Sequence, residues 1–435
     1  MDALWVPLIL FCFLFPALAS LSSGSALPCT HDNSLHYYRI TAMREAFRHG
    51  WWFSRWVPNL ALGYGYPFFN FREPLPYLIG TLLYALGISL PVVLELLYTA
   101  SFVMAGWGAY ILARDLFGAR AAWVTAVAYS LGPYMLLDAL RRGNLPESVA
   151  LALLPWLMVI FRRVILGRGR ESFIAAVLLL AALFLSHNIS SLLFAPLLGG
   201  YVVALSWIHR HRKAWPWAFV AVVVAVGLTA WFWLPALMEQ STVQLHLSRT
   251  TRNNDFHYNF ATWREILFTP PVPYDADFLN PPMRISLGFV QWILALIGLG
   301  VGFWRARRRE LRVLLIFFAF IALAYLWMST PASLEVWEAF SLLAFVQFPW
   351  RLVGRALLPV ALLGGAAFVG DGWRPSICWP SSLNDKSRFT LHASRFMPHI
   401  LYLAPHITLL TTLLLLALFA YPDTYPPKGL SLIHI

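Results

Sequence analysis

Ser172 to Ile208 reads SFIAAVLLLAALFLSHNISSLLFAPLLGGYVVALSWI and runs straight into His209-Arg210-His211-Arg212-Lys213. A helix needs about 20 mainly apolar residues to cross about 30 Å of hydrocarbon, because each residue rises about 1.5 Å. This stretch holds two such segments back to back, 172–187 and 189–208, turned by Ser186-His187-Asn188 and closed by a basic cluster. The same pattern extends outward along the chain. Apolar segments recur at 4–27, 91–113, 121–138, 147–161, 217–238, 286–304, 312–329, 352–370 and 399–421, which makes eleven in all. The expected fold class is therefore an all-α polytopic membrane protein of about eleven transmembrane helices. In the 435 residues 59% are hydrophobic and 12% charged, with a mean hydropathy of +0.65, a balance that excludes a water-soluble fold.

Charge sets the orientation. Placing the N-terminus inside and the C-terminus outside puts the loops 114–120, 162–170, 210–213, 305–312 and 374–395 in the cytoplasm, with more than half of the 32 Lys and Arg. That satisfies the positive-inside rule, and a net charge of +12 then speaks for membrane topology and against nucleic acid. A twelfth stretch, 74–89, is short and framed by Pro74, Pro76 and Pro91, so it reads as a re-entrant or interfacial helix. Counting it as a crossing would export Arg305, Arg308 and Arg309. A cleaved signal peptide is the alternative for Leu4 to Leu18, but the basic residues that begin such signals are missing. Cys12, Cys29 and Cys378 lie too far apart for a disulfide framework or a clustered metal motif. Twenty Trp, 17 Tyr and 32 Phe suit two interfacial belts.

The chemistry is expected in three external loops, 28–73, 239–285 and 330–351. The first opens with His31-Asp32-Asn33 and continues to Gly50, so Asp32 or Asn33 can cap a helix ending at Gly50. On that helix Asp32, His36 and Arg39 share one face, at i, i+4 and i+7. A surface helix with an ordinary cap is the bland reading. An acid just past a membrane exit, among basic and aromatic residues, weighs against it. Gly63 and Gly65 follow no strand and open no phosphate-binding helix. The run Trp56 to Pro76 instead suggests a rigid aromatic turn, with Arg55 and Arg72 as anion contacts. Asp138 either joins Asp32 as a second acid, leaving room for a divalent cation held by the two, or pairs locally with Arg141 or Arg142. Arg351 and Arg355, four residues apart after Gln347-Phe348-Pro349-Trp350, present two always-charged groups suited to phosphate. Snorkelling to the interface is the alternative. Glu73 and His187 complete the candidates, and Arg249, Asp255, His257, Asp275 and Asp277 form a polar cover on the same side.

The acid after the first span, the W-V-P then G-Y-G-Y-P then P-L-P-Y run between Trp56 and Tyr77, and Q-F-P-W-R at 347–351 carry a resemblance. Together they resemble the bacterial YfhO-like, 6-pyruvoyl-tetrahydropterin synthase-related membrane proteins, which in turn resemble the GT-C superfamily of integral-membrane glycosyltransferases. The resemblance implies a GT-C-like fold over 1–429 as a single domain in the bacterial cytoplasmic membrane. It also implies a polyprenyl-phosphate-linked sugar donor, and a glycan, lipid or protein acceptor met at the outer face. Asp32 matches the essential first-loop acid, and Asp138 stands where a second acid often follows. Arg39, Arg55, Arg72, Arg351 and Arg355 are the phosphate candidates. A transporter, a lipid flippase or a non-catalytic envelope protein is the alternative, although such carriers gather charge at mid-membrane. The last residues, 430–435, read as a non-native tail on a truncated frame.

Overall fold

The computed structural model describes residues 5–19, 21, 30–51, 53–210, 214–243, 252–268, 283–306, 308–370 and 399–424. Cys29, Cys378, Arg249, Asp275, Asp277, the 374–395 loop and the 430–435 tail lie outside the described residues. Among the described residues the chain is helical, and the isolated antiparallel pair Val57 and Tyr66 is its only extended pairing.

The longer helices are α1 (Trp5–Leu18), α2 (Asn33–Arg48), α3 (Leu75–Ala85), α4 (Leu90–Phe117), α5 (Ala119–Ser130), α6 (Leu145–Ile165), α7 (Gly169–Ser186), α8 (Asn188–His209), α9 (Trp215–Leu228), α10 (Ala230–Met238), α11 (Phe289–Arg305), α12 (Arg309–Met328), α13 (Arg351–Ala366) and α14 (His399–Thr424). Among the described residues five are long and apolar enough to cross a membrane: α4, α6, α7, α8 and α12. The pair α9–α10, bent by 66° at Thr229, makes a sixth if it counts as one span. Among the described residues, five or six helices thus have full spanning length, with shorter apolar helices in others of the eleven hydropathy segments. The stretch 74–89 holds α3, whose 11 residues rise only about 16 Å and fall short of a crossing.

Packing follows residue size. All 16 residues of α13 are buried, and it lies against α5, α11 and α12. Without a hydrophobic force between helices in lipid, close approach through small residues supplies the attraction. Gly298 of α11 shows this, since a Cβ there would sit 1.8 Å from the Leu363 carbonyl oxygen of α13. The other buried pillar, α6, packs on α4, α7 and α8. On the charged side Arg162 of α6 donates to Glu310 of α12 at 2.8 Å, and His209 of α8 reaches the same carboxylate at 3.3 Å. At the opposite end α2 lies along α3, burying Asn33, His36, Ile40 and Met43 at helical spacing.

Candidate functional site

Between Leu136 and Leu145 the chain winds into a π-helical turn, Leu137–Arg142, that ends at Gly143 in the left-handed conformation (φ +70°). Its carbonyls remain available, and the segment that leads into α2 pairs with them. His31 N–H donates to Arg141 O at 3.2 Å and Asp32 N–H to Arg142 O at 3.0 Å. A side chain at position 143 would meet Thr30 Oγ1 at 2.0 Å, so only glycine permits this contact. Two segments about 110 residues apart thereby fix where α2 starts.

Asp32 is the N-cap residue of α2, as expected, yet its carboxylate makes no capping hydrogen bond, and the helix ends at Arg48 with His49 as C-cap. Half-buried, Asp32 lines a cavity of about 570 Å³. Cavities of this size are typical of small-molecule sites. His36 and Arg39, one and two turns on, line it as well, so the shared face survives. Arg72, Glu73, His187 and Arg351 complete the sequence candidates found there. Two further loops also line it, one through Tyr258, Asn259 and Phe260 and one through Gln347, Phe348 and Trp350.

Each group is differently engaged. His36 is buried, with Nε2 donating to Gly143 O at 2.6 Å and Nδ1 3.0 Å from the Tyr77 hydroxyl. Burial, helped by the Arg39 charge, holds its pKa down at about 3, so the ring stays neutral and acts as a brace and not as a proton carrier. Arg39 donates to Tyr77 OH at 2.8 Å and lies 4.6 Å over the Phe68 ring. Arg72 is exposed on the cavity wall. Glu73 accepts from Asn188 N–H at 3.0 Å, neutralising the exposed start of α8.

Three sequence candidates stand elsewhere. Asp138 is buried and held by Arg142 at 3.1 Å and Ser148 at 3.0 Å, so the local pairing with Arg142 is the arrangement found. It does not line the cavity. Arg55 donates to the Trp231 carbonyl at 2.6 Å, tying the first loop to the break between α9 and α10. Arg355, 0% exposed, is enclosed within the bundle while Arg351 reaches the cavity. Four residues on a helix also mean about 6 Å along its axis, enough to carry Arg355 one turn deeper. Among the described residues no group of three or more His, Cys, Asp or Glu forms a set that could hold a metal ion. With Asp138 committed to Arg142 and Ser148, these residues do not fit the divalent cation that the two acids would have shared. Positive charge at the cavity comes from arginine.

The residue that sequence reasoning passed over is Glu147, 0% exposed in the first turn of α6. Its Oε1 accepts from Tyr134 OH at 2.8 Å and from Arg355, and its Oε2 from Arg142 at 2.7 Å and Asn144 at 2.9 Å. Arg351 Nε lies 3.5 Å away. One carboxylate therefore orders three guanidiniums. Arg142 and Arg351 are further stacked near Trp350 (5.2 Å) and Phe348 (5.0 Å). The signal was an acid at the edge of an apolar span, where charge is expensive unless partnered.

Known proteins share this architecture. The 6-pyruvoyl-tetrahydropterin synthase related domain, described as a membrane protein, matches residues 69–374. An uncharacterized protein of Lactococcus lactis subsp. cremoris is 22% identical over 274 residues, 60% of this chain and 44% of its own length. The chain thus spans less than half of that curated relative. Among solved structures, the mycobacterial arabinofuranosyltransferase AftD superposes on 99% of the chain (27% of AftD) at 17% identity and a TM-score of 0.56. ArnT from Cupriavidus metallidurans, solved bound to undecaprenyl phosphate, covers 98% (76% of ArnT) at 15% identity and 0.56. The Archaeoglobus fulgidus oligosaccharyltransferase covers 98% (57% of that chain) at 13% and 0.52. At such identities the likeness is one of fold, the fold of GT-C glycosyltransferases. The family model spans more than half of the sequence, and this chain belongs to the 6-pyruvoyl-tetrahydropterin synthase related family of membrane proteins.

Proposed function

We propose that the protein transfers a sugar from a polyprenyl-phosphate donor to an acceptor hydroxyl at the extracytoplasmic face of the bacterial cytoplasmic membrane. The observation that carries this reading is Asp32. Its carboxylate spends no hydrogen bond on its own helix and opens onto a cavity shared with Arg39, Arg72 and Arg351. Glycosyl transfer breaks the bond between the anomeric carbon and a phosphate oxygen while the acceptor oxygen bonds that carbon. The acceptor proton must leave and the phosphate departs with negative charge. Asp32 takes the proton, and the arginine wall stabilises the departing phosphate. The fold shared with ArnT, solved with undecaprenyl phosphate, supports a lipid-phosphate donor.

The test is transfer of radiolabelled sugar from a polyprenyl-phosphate donor in membranes. Asp32→Asn keeps size and capping ability but loses the base, and its rate is expected to fall by about 10²- to 10⁴-fold. Undiminished transfer by that variant would remove Asp32 from the chemistry.

A further inference from the structure

The start of α8 stands beside the cavity with several of its N–H groups already taken. Its Asn188 N–H is taken by Glu73 and its Ser190 N–H donates to His187 Nδ1 at 3.2 Å. Ser190 Oγ lies 2.7 Å from the same nitrogen. Arg355, anchored on Glu147, donates to that Oγ, so the hydroxyl proton is left to point at the imidazole. Both contacts make Nδ1 an acceptor. In a neutral imidazole the other nitrogen then carries the hydrogen. His187 is only 5% exposed and lines the cavity, and its Nε2 has no hydrogen-bond partner among the described residues.

A tautomer fixed to aim an N–H into a cavity presents a ready donor to an acceptor that a ligand brings there. The cavity chemistry names that acceptor. Arg351 shares the lining with His187, and the carboxylate opposite Arg351 is already divided among Arg142, Arg351 and Arg355. We infer that His187 is a binding residue whose Nε2–H, held in place by the chain Glu147–Arg355–Ser190, donates to an oxygen of the lipid phosphate. The inference rests on the polyprenyl-phosphate reading above and deepens it. Neutral hydrogen bonding adds direction where the arginines add charge, so the phosphate is turned as well as held.

His187 also caps α8, and the test must separate the two roles. Serine and aspartate are strong N-caps but place no donor at the imidazole position. Binding of undecaprenyl phosphate and of undecaprenol, which lacks the phosphate, is measured on the detergent-solubilised full chain for wild type, His187→Ser and His187→Asp. Wild type is expected to prefer the phosphate. Both variants should lose about tenfold or more of that affinity, with undecaprenol binding and melting temperature unchanged. Phosphate affinity retained in either folded variant overturns the role of His187 while leaving the donor reading in place. No preference for phosphate in wild type overturns both.

Discussion

At the residue scale the site depends on how charge is distributed among neighbours. Glu147 is surrounded by three arginines within the protein interior, and the carboxylate and the guanidiniums are each tolerable only because the others are present. Removing one member of such a buried set typically costs about 3–5 kcal/mol, since the unpaired charges stay behind. Glu147→Gln preserves shape but leaves Arg142 with Asp138 as its ion-pair partner, and Arg351 and Arg355 with no acid within ion-pair distance among the described residues. A melting temperature in detergent well below wild type is expected, together with lost phosphate binding. A melting curve that superposes on wild type would mean the cluster is not held by this carboxylate. His36 illustrates the opposite case. With a pKa near 3 it carries no charge at physiological pH, so its place on the Asp32 face reflects bracing of Tyr77 and Gly143.

At the element scale the π-helical turn before α6 holds the site together. It ends at Gly143, where a left-handed backbone and the close approach of Thr30 coincide. An L-residue there loses about 1–2 kcal/mol from backbone conformation alone, before the clash with Thr30 is relieved. Gly143→Ala should push the segment at Thr30 off the turn and carry Asp32 with it. Misplacing a reacting group by about 1 Å can cost on the order of 10²-fold in rate. Sugar transfer is therefore expected to fall by that order. Protease sensitivity near Thr30 should rise, which is visible by limited proteolysis of the solubilised protein. Unchanged rate and cleavage would show that the turn does not position Asp32. The bend between α9 and α10 plays a similar part, because the carbonyl of Trp231 beside that break receives Arg55. A charge expected to meet phosphate instead fastens its loop to a neighbouring helix.

At the scale of the whole molecule, three segments far apart in sequence line one cavity. His257 joins two of them. Its Nδ1 lies 2.6 Å from Asp255 and its Nε2 3.4 Å from Glu338. The Asp255 hydrogen bond raises the imidazole pKa above its usual 6.5. A raised pKa in the folded protein means the bridge is complete below about 6.5 and is lost as the pH climbs through the raised value. Hydrogen exchange, corrected for its intrinsic pH dependence, should show residues 254–261 losing protection across that window in wild type. In His257→Gln the protection should be flat. Equal pH dependence in both proteins would exclude this bridge.

Hydropathy and charge made the helical membrane architecture legible, because the requirement to satisfy every backbone group within a span leaves its mark on each segment separately. The face formed by Asp32, His36 and Arg39 was legible for the same reason, since helical period is a local property and all three do line the cavity. The motif at 347–351 pointed to Arg351 but could not separate it from Arg355. Which guanidinium meets the cavity depends on how deeply α13 sits among α5, α11 and α12. Likewise the sharing of Glu147 among three arginines and the tautomer of His187 join residues on different elements, whereas the i, i+4 pairing of Asp138 with Arg142 lies within one turn and was among the sequence readings. Sequence alone determined which groups reach the membrane boundary, because that follows from counting along one chain. Tertiary structure decided which of them stay available for chemistry, because a buried charge is claimed by whichever partner packing brings within hydrogen-bond reach.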